Sequence, residues 1–202
     1  MWKGPRLPLS GLGIDASTTS HRRGASPPLV VRSASMFSTR PEPECAGPHQ
    51  ESVWEYPRPP RLEAVTARLV VVLGGQTIAE TTRAYRVLET SHPPNYYFPP
   101  DDVAEGALVL AKGASFCEWK GRAHYFTVCG GTEIVHEGAW GYEHPSEAFA
   151  PIGGYVAFYA GRMGACFVDD ELVVPQPGGF YGGWITSTVV GPFKGGPGSR
   201  GW

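Results

Sequence analysis

Residues 67–82 read ARLVVVLGGQTIAETT. A β-branched run, a two-glycine step at Gly74-Gly75 and a second run of strand formers predict a β-hairpin, since paired glycines supply the positive φ that tight hairpin turns need. Downstream, AYRVLET (84–90) alternates with a period of two. Tyr85, Val87 and Glu89 fall on one face, and Arg86 and Leu88 on the other. NYYF (95–98) reads as a further strand, closed by Pro99-Pro100, and Asp101-Asp102-Val103 as one helical turn with Asp as N-cap. ALVL (107–110) is a short strand. CEWKGRAHYFTV (117–128) holds a Lys120-Gly121 turn and a strand over Ala123–Val128. Gly130-Gly131 then marks a second hairpin, with TEIVHE returning. YVAFYA, Gly161-Arg162-Met163-Gly164 and ACFVDD predict a third. SEAFA (146–150) is too short for more than a helical turn. No segment carries the apolar period of a long helix, so the fold class is all-β, a sandwich or an open barrel.

Composition supports this. Gly 27 and Pro 20 make up close to a quarter of 202 residues, aromatics reach 12%, and charged residues only 18%. Turns and aromatics at that density suit short strands. Six of the 17 basic residues and one of the 19 acidic ones fall within residues 1–40. That leaves 11 basic against 18 acidic in 41–202, a net charge of −7. An acidic body disfavours a phosphate-tracking surface, so nucleic acid is not the expected partner. No apolar run reaches the roughly 18 residues that span a bilayer, so a soluble chain without a membrane partner is expected. Cys45, Cys117, Cys129 and Cys166 show no C-x-x-C spacing, so reduced thiols, no metal and no cofactor are expected.

The chain divides into four parts. Residues 1–40 are basic, rich in Ser and Thr and poor in acids, which is the composition of an organelle transit peptide. A plastid is favoured over a mitochondrion because of Val-Val-Arg-Ser-Ala-Ser at 30–35; a plain tail on a cytoplasmic protein is the alternative. Residues 41–61 form a proline-rich lead-in with Trp54 and Tyr56, expected to run extended over the domain surface. Residues 62–175 are the folded body. Residues 176–202 form a Gly/aromatic tail expected to wrap the core with its aromatics as anchors.

The chemistry-bearing stretch is ETSHPPNYYFPP (89–100). Glu89 and His92 stand three apart; a carboxylate accepting from one ring nitrogen orients the imidazole and raises its basicity. The plainer alternative is that His92 caps a turn stiffened by Pro93-Pro94, with Glu89 on an arginine such as Arg86. Lys120, held at a tight turn, suits a point-charge anchor for a carboxylate or phosphate. It also flanks Cys117, whose thiolate it would favour, with Cys129 as the resolving thiol; a buried inert cysteine is the alternative. Tyr96, Tyr97, Tyr125, Trp140 and Tyr142 either line an aromatic pocket or fill the core.

Four segments resemble a known family, domain-of-unknown-function family 427: ETSHPPNYY (89–97), CEWKGRAHY (117–125), WGYEHP (140–145) and IGGYVAFY (152–159). Many members have Cys-Pro where this chain has Cys117-Glu118. The family has been proposed as nucleotidyltransferase-like. The resemblance implies a β-tent type fold, two antiparallel sheets meeting at an angle. Other proteins of that fold include zinc-bearing, chaperone-like proteins, methionine sulfoxide reductases and aromatic-cage binders, but the paired C-x-x-C knuckles are missing here.

The expected function is therefore binding of a small molecule, anionic or aromatic, at Glu89, His92, Tyr96, Tyr97, Cys117, Lys120, Tyr125, Trp140 and Tyr142. Two alternatives stand beside it. One is an enzyme, using nucleotidyl transfer or thiol chemistry with Glu89, His92 and Lys120 as catalytic groups. The other is an interaction module that docks through the aromatic tail.

Overall fold

A computed structural model describes residues 40–202. The transit-peptide reading of residues 1–40 therefore lies, apart from Arg40, outside the described residues. Fifteen strands follow in order: β1 (Glu51–Ser52), β2 (Arg61–Val65), β3 (Leu69–Leu73), β4 (Gln76–Thr81), β5 (Ala84–Leu88), β6 (Asn95–Tyr97), β7 (Leu108–Cys117), β8 (Gly121–Gly130), β9 (Glu133–Gly141), β10 (Val156–Phe158), β11 (Ala165–Val168), β12 (Glu171–Leu172), β13 (Val174–Pro175), β14 (Trp184–Ile185) and β15 (Val189–Val190). Helical structure among these residues is limited to three 3-10 segments, the longest Glu147–Ile152. The chain is all-β, as its turn spacing predicts, and its sheets stay open rather than closing into a barrel.

Two four-stranded antiparallel sheets, β12-β11-β3-β4 and β10-β9-β8-β7, carry the domain, and β2-β5-β6 forms a third. The opening hairpin forms as read: β3 pairs with β4 across Gly74 and Gly75, both at positive φ. Its tip abuts the tip of the second hairpin. A Cβ on Gly74 would lie 2.0 Å from the Gly130 carbonyl oxygen, and one on Gly131 would lie 2.5 Å from that of Gly74. Two four-stranded sheets thus touch through glycines that no other residue can replace without displacing backbone.

The main core joins both sheets. Leu73 and Ile78 from one meet Val128 and Ala139 from the other, with Phe98 and Trp184 between them. Alternation along each strand then decides which residues reach the opposite side. Ala139 faces this core while Trp140 faces a second cluster with Tyr97, Ala123 and Tyr142.

Three expectations are corrected. The third hairpin does not form: β10 pairs with β9, and β11 with β3, in different sheets. The connecting residues instead make a 3-10 turn, Ala160–Arg162, which carries the chain from one sheet to the other. Asp101-Asp102 do not cap a helix. The segment starts at Pro100, and Asp102 is drawn to Arg83 at 2.7 Å and to the Thr81 hydroxyl at 2.6 Å. The lead-in does not lie only on the surface. Val53, Trp54 and Tyr56 are buried in a third cluster with Leu88 and Val189. There β1 pairs with β15 in parallel, so the two ends of the described chain lie side by side.

Candidate functional site

The turn after β7 and the residues around β6 meet β8 and β9 at a cleft of about 770 Å³. Its wall includes Glu89, His92, Tyr97, Cys117, Lys120, Tyr125, Trp140 and Tyr142. Four separated segments thus reach one concavity. Tyr96 does not. It points from β6 into the main core and packs on Trp184 at 5.3 Å between ring centroids. Consecutive strand residues face opposite ways, so Tyr96 and Tyr97 cannot share a wall.

Lys120 is only 7% exposed. Its Nζ lies 5.4 Å from the Phe149 ring and 5.8 Å from that of Tyr142, within cation–π range. Among the described residues, neither an ion pair nor a side-chain hydrogen bond includes it. Its stem is buried while the residue lines the cleft, so a positive charge without a carboxylate partner is presented there as a point-charge anchor for an anion.

The aromatic wall is locked by its own contacts. Trp140 packs on Tyr159 at 4.4 Å and meets Tyr97 edge-on at 6.3 Å. Tyr125 donates its hydroxyl to Ser115 Oγ at 2.9 Å. Burial above all, then Tyr97 and Cys117 nearby, pushes the Tyr142 phenol well above its ordinary range. Burial does the same to Tyr97. Both phenols therefore stay neutral and bring no negative charge to Lys120.

Family comparison assigns this body of sequence. Residues 61–169, just over half of the 202-residue chain, match the domain of unknown function DUF427, a family whose name refers to nucleotidyl transfer. The chain belongs to the DUF427 family. No curated protein matches it. All the ETSHPPNYY, CEWKGRAHY and WGYEHP residues placed in the cleft lie inside the DUF427 span.

The tail of this DUF427 protein, beyond the matched span, also reaches the site. Gly179, Phe180, Tyr181, Gly182 and Lys194 line the cleft, and Arg58 does so from the lead-in. Tyr181 sits edge-on to His92 at 4.5 Å. Phe180 is 77% exposed at the rim and meets Tyr181 edge-on, so it anchors nothing in the core. Sequence reading passed over Gln176 and Arg58. A lone glutamine beside prolines carries no pattern, and its partners are 84 and 18 residues away in sequence.

Two expected devices are absent in the form proposed. Glu89 does not orient His92. Its carboxylate is held by Arg58 at 2.7 Å, while the His92 ring nitrogen Nδ1 meets Gln176 at 3.0 Å. Burial, opposed by Glu89 but reinforced by Lys194, Arg58 and Lys120, lowers the His92 pKa to about 4. Such an imidazole is a weak proton acceptor at neutral pH, so the general-base role loses its support. Nor can Cys129 resolve Cys117. Cys117 lies opposite Gly121 at one end of β8, and Cys129 is at the other end, about 26 Å along an extended strand. A disulfide needs Cα atoms within about 7 Å. Among the described residues, no three of His, Cys, Asp and Glu converge as metal ligands.

Proposed function

We propose that this DUF427 domain binds a small organic anion with a flat, apolar body. The acidic group sits at Lys120, and the flat body lies against Trp140 and Tyr142. The observation that carries this reading is the 93% burial of Lys120 in a cleft wall with no carboxylate partner among the described residues. Anion binding supplies the missing charge, and the aromatic wall supplies apolar contact. The volume of about 770 Å³ falls within the range of small-molecule sites, about 300–1,000 Å³. The other charges in the cleft wall balance: Arg58, Arg162 and Lys194 stand against Glu89, Glu118 and Glu137, with Arg58 paired to Glu89, which leaves Lys120 as the excess positive charge.

Nucleotidyl transfer, which the family name suggests, receives less support here. The paired acids Asp101-Asp102 and Asp169-Asp170, the residues that could hold the Mg²⁺ such transfer uses, lie outside the cleft wall, and Asp102 is engaged by Arg83.

The test uses 2-naphthoate and its uncharged amide as probes, by calorimetry and thermal shift. Wild type should bind the acid and not the amide. Lys120→Met keeps an unbranched stem but removes the charge. It should weaken acid binding at least tenfold while the melting temperature stays close to that of wild type, because the apolar packing of the stem is kept. Equal binding of acid and amide, or an unaffected Lys120→Met variant, would overturn the proposal.

A further inference from the structure

We infer that Gln176 fixes His92 as a permanent hydrogen-bond donor to the cleft, so that the anion at Lys120 is one that accepts from a second, uncharged donor: a carboxylate rather than a ligand that presents an N–H to His92. The ligand half of this inference rests on the anion-binding reading; the tautomer half rests on hydrogen bonding alone.

The hydrogen-bond pattern has one solution. Gln176 is 4% exposed. The Gly183 backbone N–H, which can only donate, points at the Gln176 side-chain oxygen at 3.0 Å. That identifies which end of the amide is oxygen. The amide nitrogen then has two hydrogens to place. One goes to the Lys194 carbonyl at 2.8 Å, which can only accept. The other goes to His92 Nδ1 at 3.0 Å. A donor facing Nδ1 requires its lone pair, so the single proton of the neutral ring is on Nε2. Because Nδ1 is taken, Nε2–H is the polar group His92 has left to offer in the cleft that it lines.

The surroundings hold this state. Glu89 favours a second proton on the ring, but its carboxylate is occupied by Arg58. Lys194, Arg58 and Lys120 all oppose it, and Tyr181 covers the ring edge-on. The tail backbone also packs closely against the glutamine. A Cβ on Gly183 would lie 2.5 Å from the Gln176 Oε1 and 2.6 Å from Pro93 Cγ, so the tail is pressed onto this network where only glycine fits. Gln176 is therefore a positioning residue contributed by the tail, outside the matched DUF427 span.

The experiment is nitrogen-15 NMR of the His92 ring in ligand-free protein, followed by 2-naphthoate titration between pH 5.5 and 8.5. Wild type should show the Nε2–H tautomer throughout, with an affinity that is flat across the range. Gln176→Glu cannot donate to Nδ1. It should move the neutral-ring proton to Nδ1 and raise the His92 pKa into the range. Its affinity should then fall about ten- to hundredfold as pH rises through that pKa, because Nε2 loses its proton. An Nδ1–H or mixed tautomer in wild type would overturn the role of Gln176 whatever binds. An unchanged His92 signal in Gln176→Glu would do the same. An Nε2–H tautomer in a protein that binds no carboxylate leaves the tautomer assignment standing and refutes both the carboxylate inference and the anion-binding reading beneath it.

Discussion

Replacing Gly182 by alanine tests whether the tail is an integral wall of the cleft or a passive cover. An added Cβ would stand 2.1 Å from Trp140 Cη2 and 2.6 Å from Cζ3. Carbon atoms settle at about 3.5–4.0 Å, so about 1.5 Å of separation must be created. The indole cannot yield easily, because Tyr159 packs on it, tilted, at 4.4 Å and Tyr97 lies edge-on at 6.3 Å. Overpacking of this kind costs about 1–3 kcal/mol. In a chain of this size that lowers the melting temperature by about 2–12 °C. Gly196→Ala is the control within the same tail, since the nearest atom to its Cβ is Pro177 Cβ at 3.9 Å. Thermal melts with near-ultraviolet circular dichroism give both stability and the packing of Trp140. A Gly182→Ala protein that melts with wild type and keeps its aromatic signal would refute the close packing of tail on cleft.

Three further outcomes follow from burial. His92 is neutral in the fold with a pKa of about 4, against 6.5 when unfolded. The unfolded chain thus binds the proton more readily. The stability that His92 contributes is complete above pH 6.5 and is lost as pH falls towards 4, about 3 kcal/mol in all. Denaturant titrations should show this slope in wild type and a flatter one in His92→Asn; parallel profiles would contradict it. Trp184 is 1% exposed and donates its indole N–H to the Phe158 carbonyl at 3.1 Å. Trp184→Ala should cost about 3–5 kcal/mol. Truncation after Pro175 should leave no cooperative melt, and a truncated chain that unfolds cooperatively would show that the matched span folds alone.

The hairpins were legible because their signal is local. The Gly74-Gly75 and Gly130-Gly131 steps lie between runs whose period of two survives any tertiary context. The third hairpin was misread for the same reason: Gly161 to Gly164 has the local chemistry of a turn, and only packing reveals that its two flanking strands belong to different sheets. In the site, the alternation that places Trp140 in the cleft also excludes Tyr96, so NYYF carries in its own order the reason that Tyr96 and Tyr97 part ways. Glu89 and His92 were found, but their partners were not. Arg58 and Gln176 approach from segments 31 and 84 residues distant, and no spacing rule reaches that far.

The parallel pairing of β1 with β15 also bears on how the chain is made. Trp54 hydrogen-bonds to the Pro192 carbonyl, 138 residues later. At synthesis rates of about 5–20 residues per second, the later partner emerges about 7–28 s after the earlier one. Throughout that interval Val53, Trp54 and Tyr56 have no Val189 to pack against. The nascent protein therefore presents a short, sticky segment until Val189 and Pro192 leave the ribosome, the kind of segment that general chaperones hold, and the closure of β1 on β15 comes late in folding.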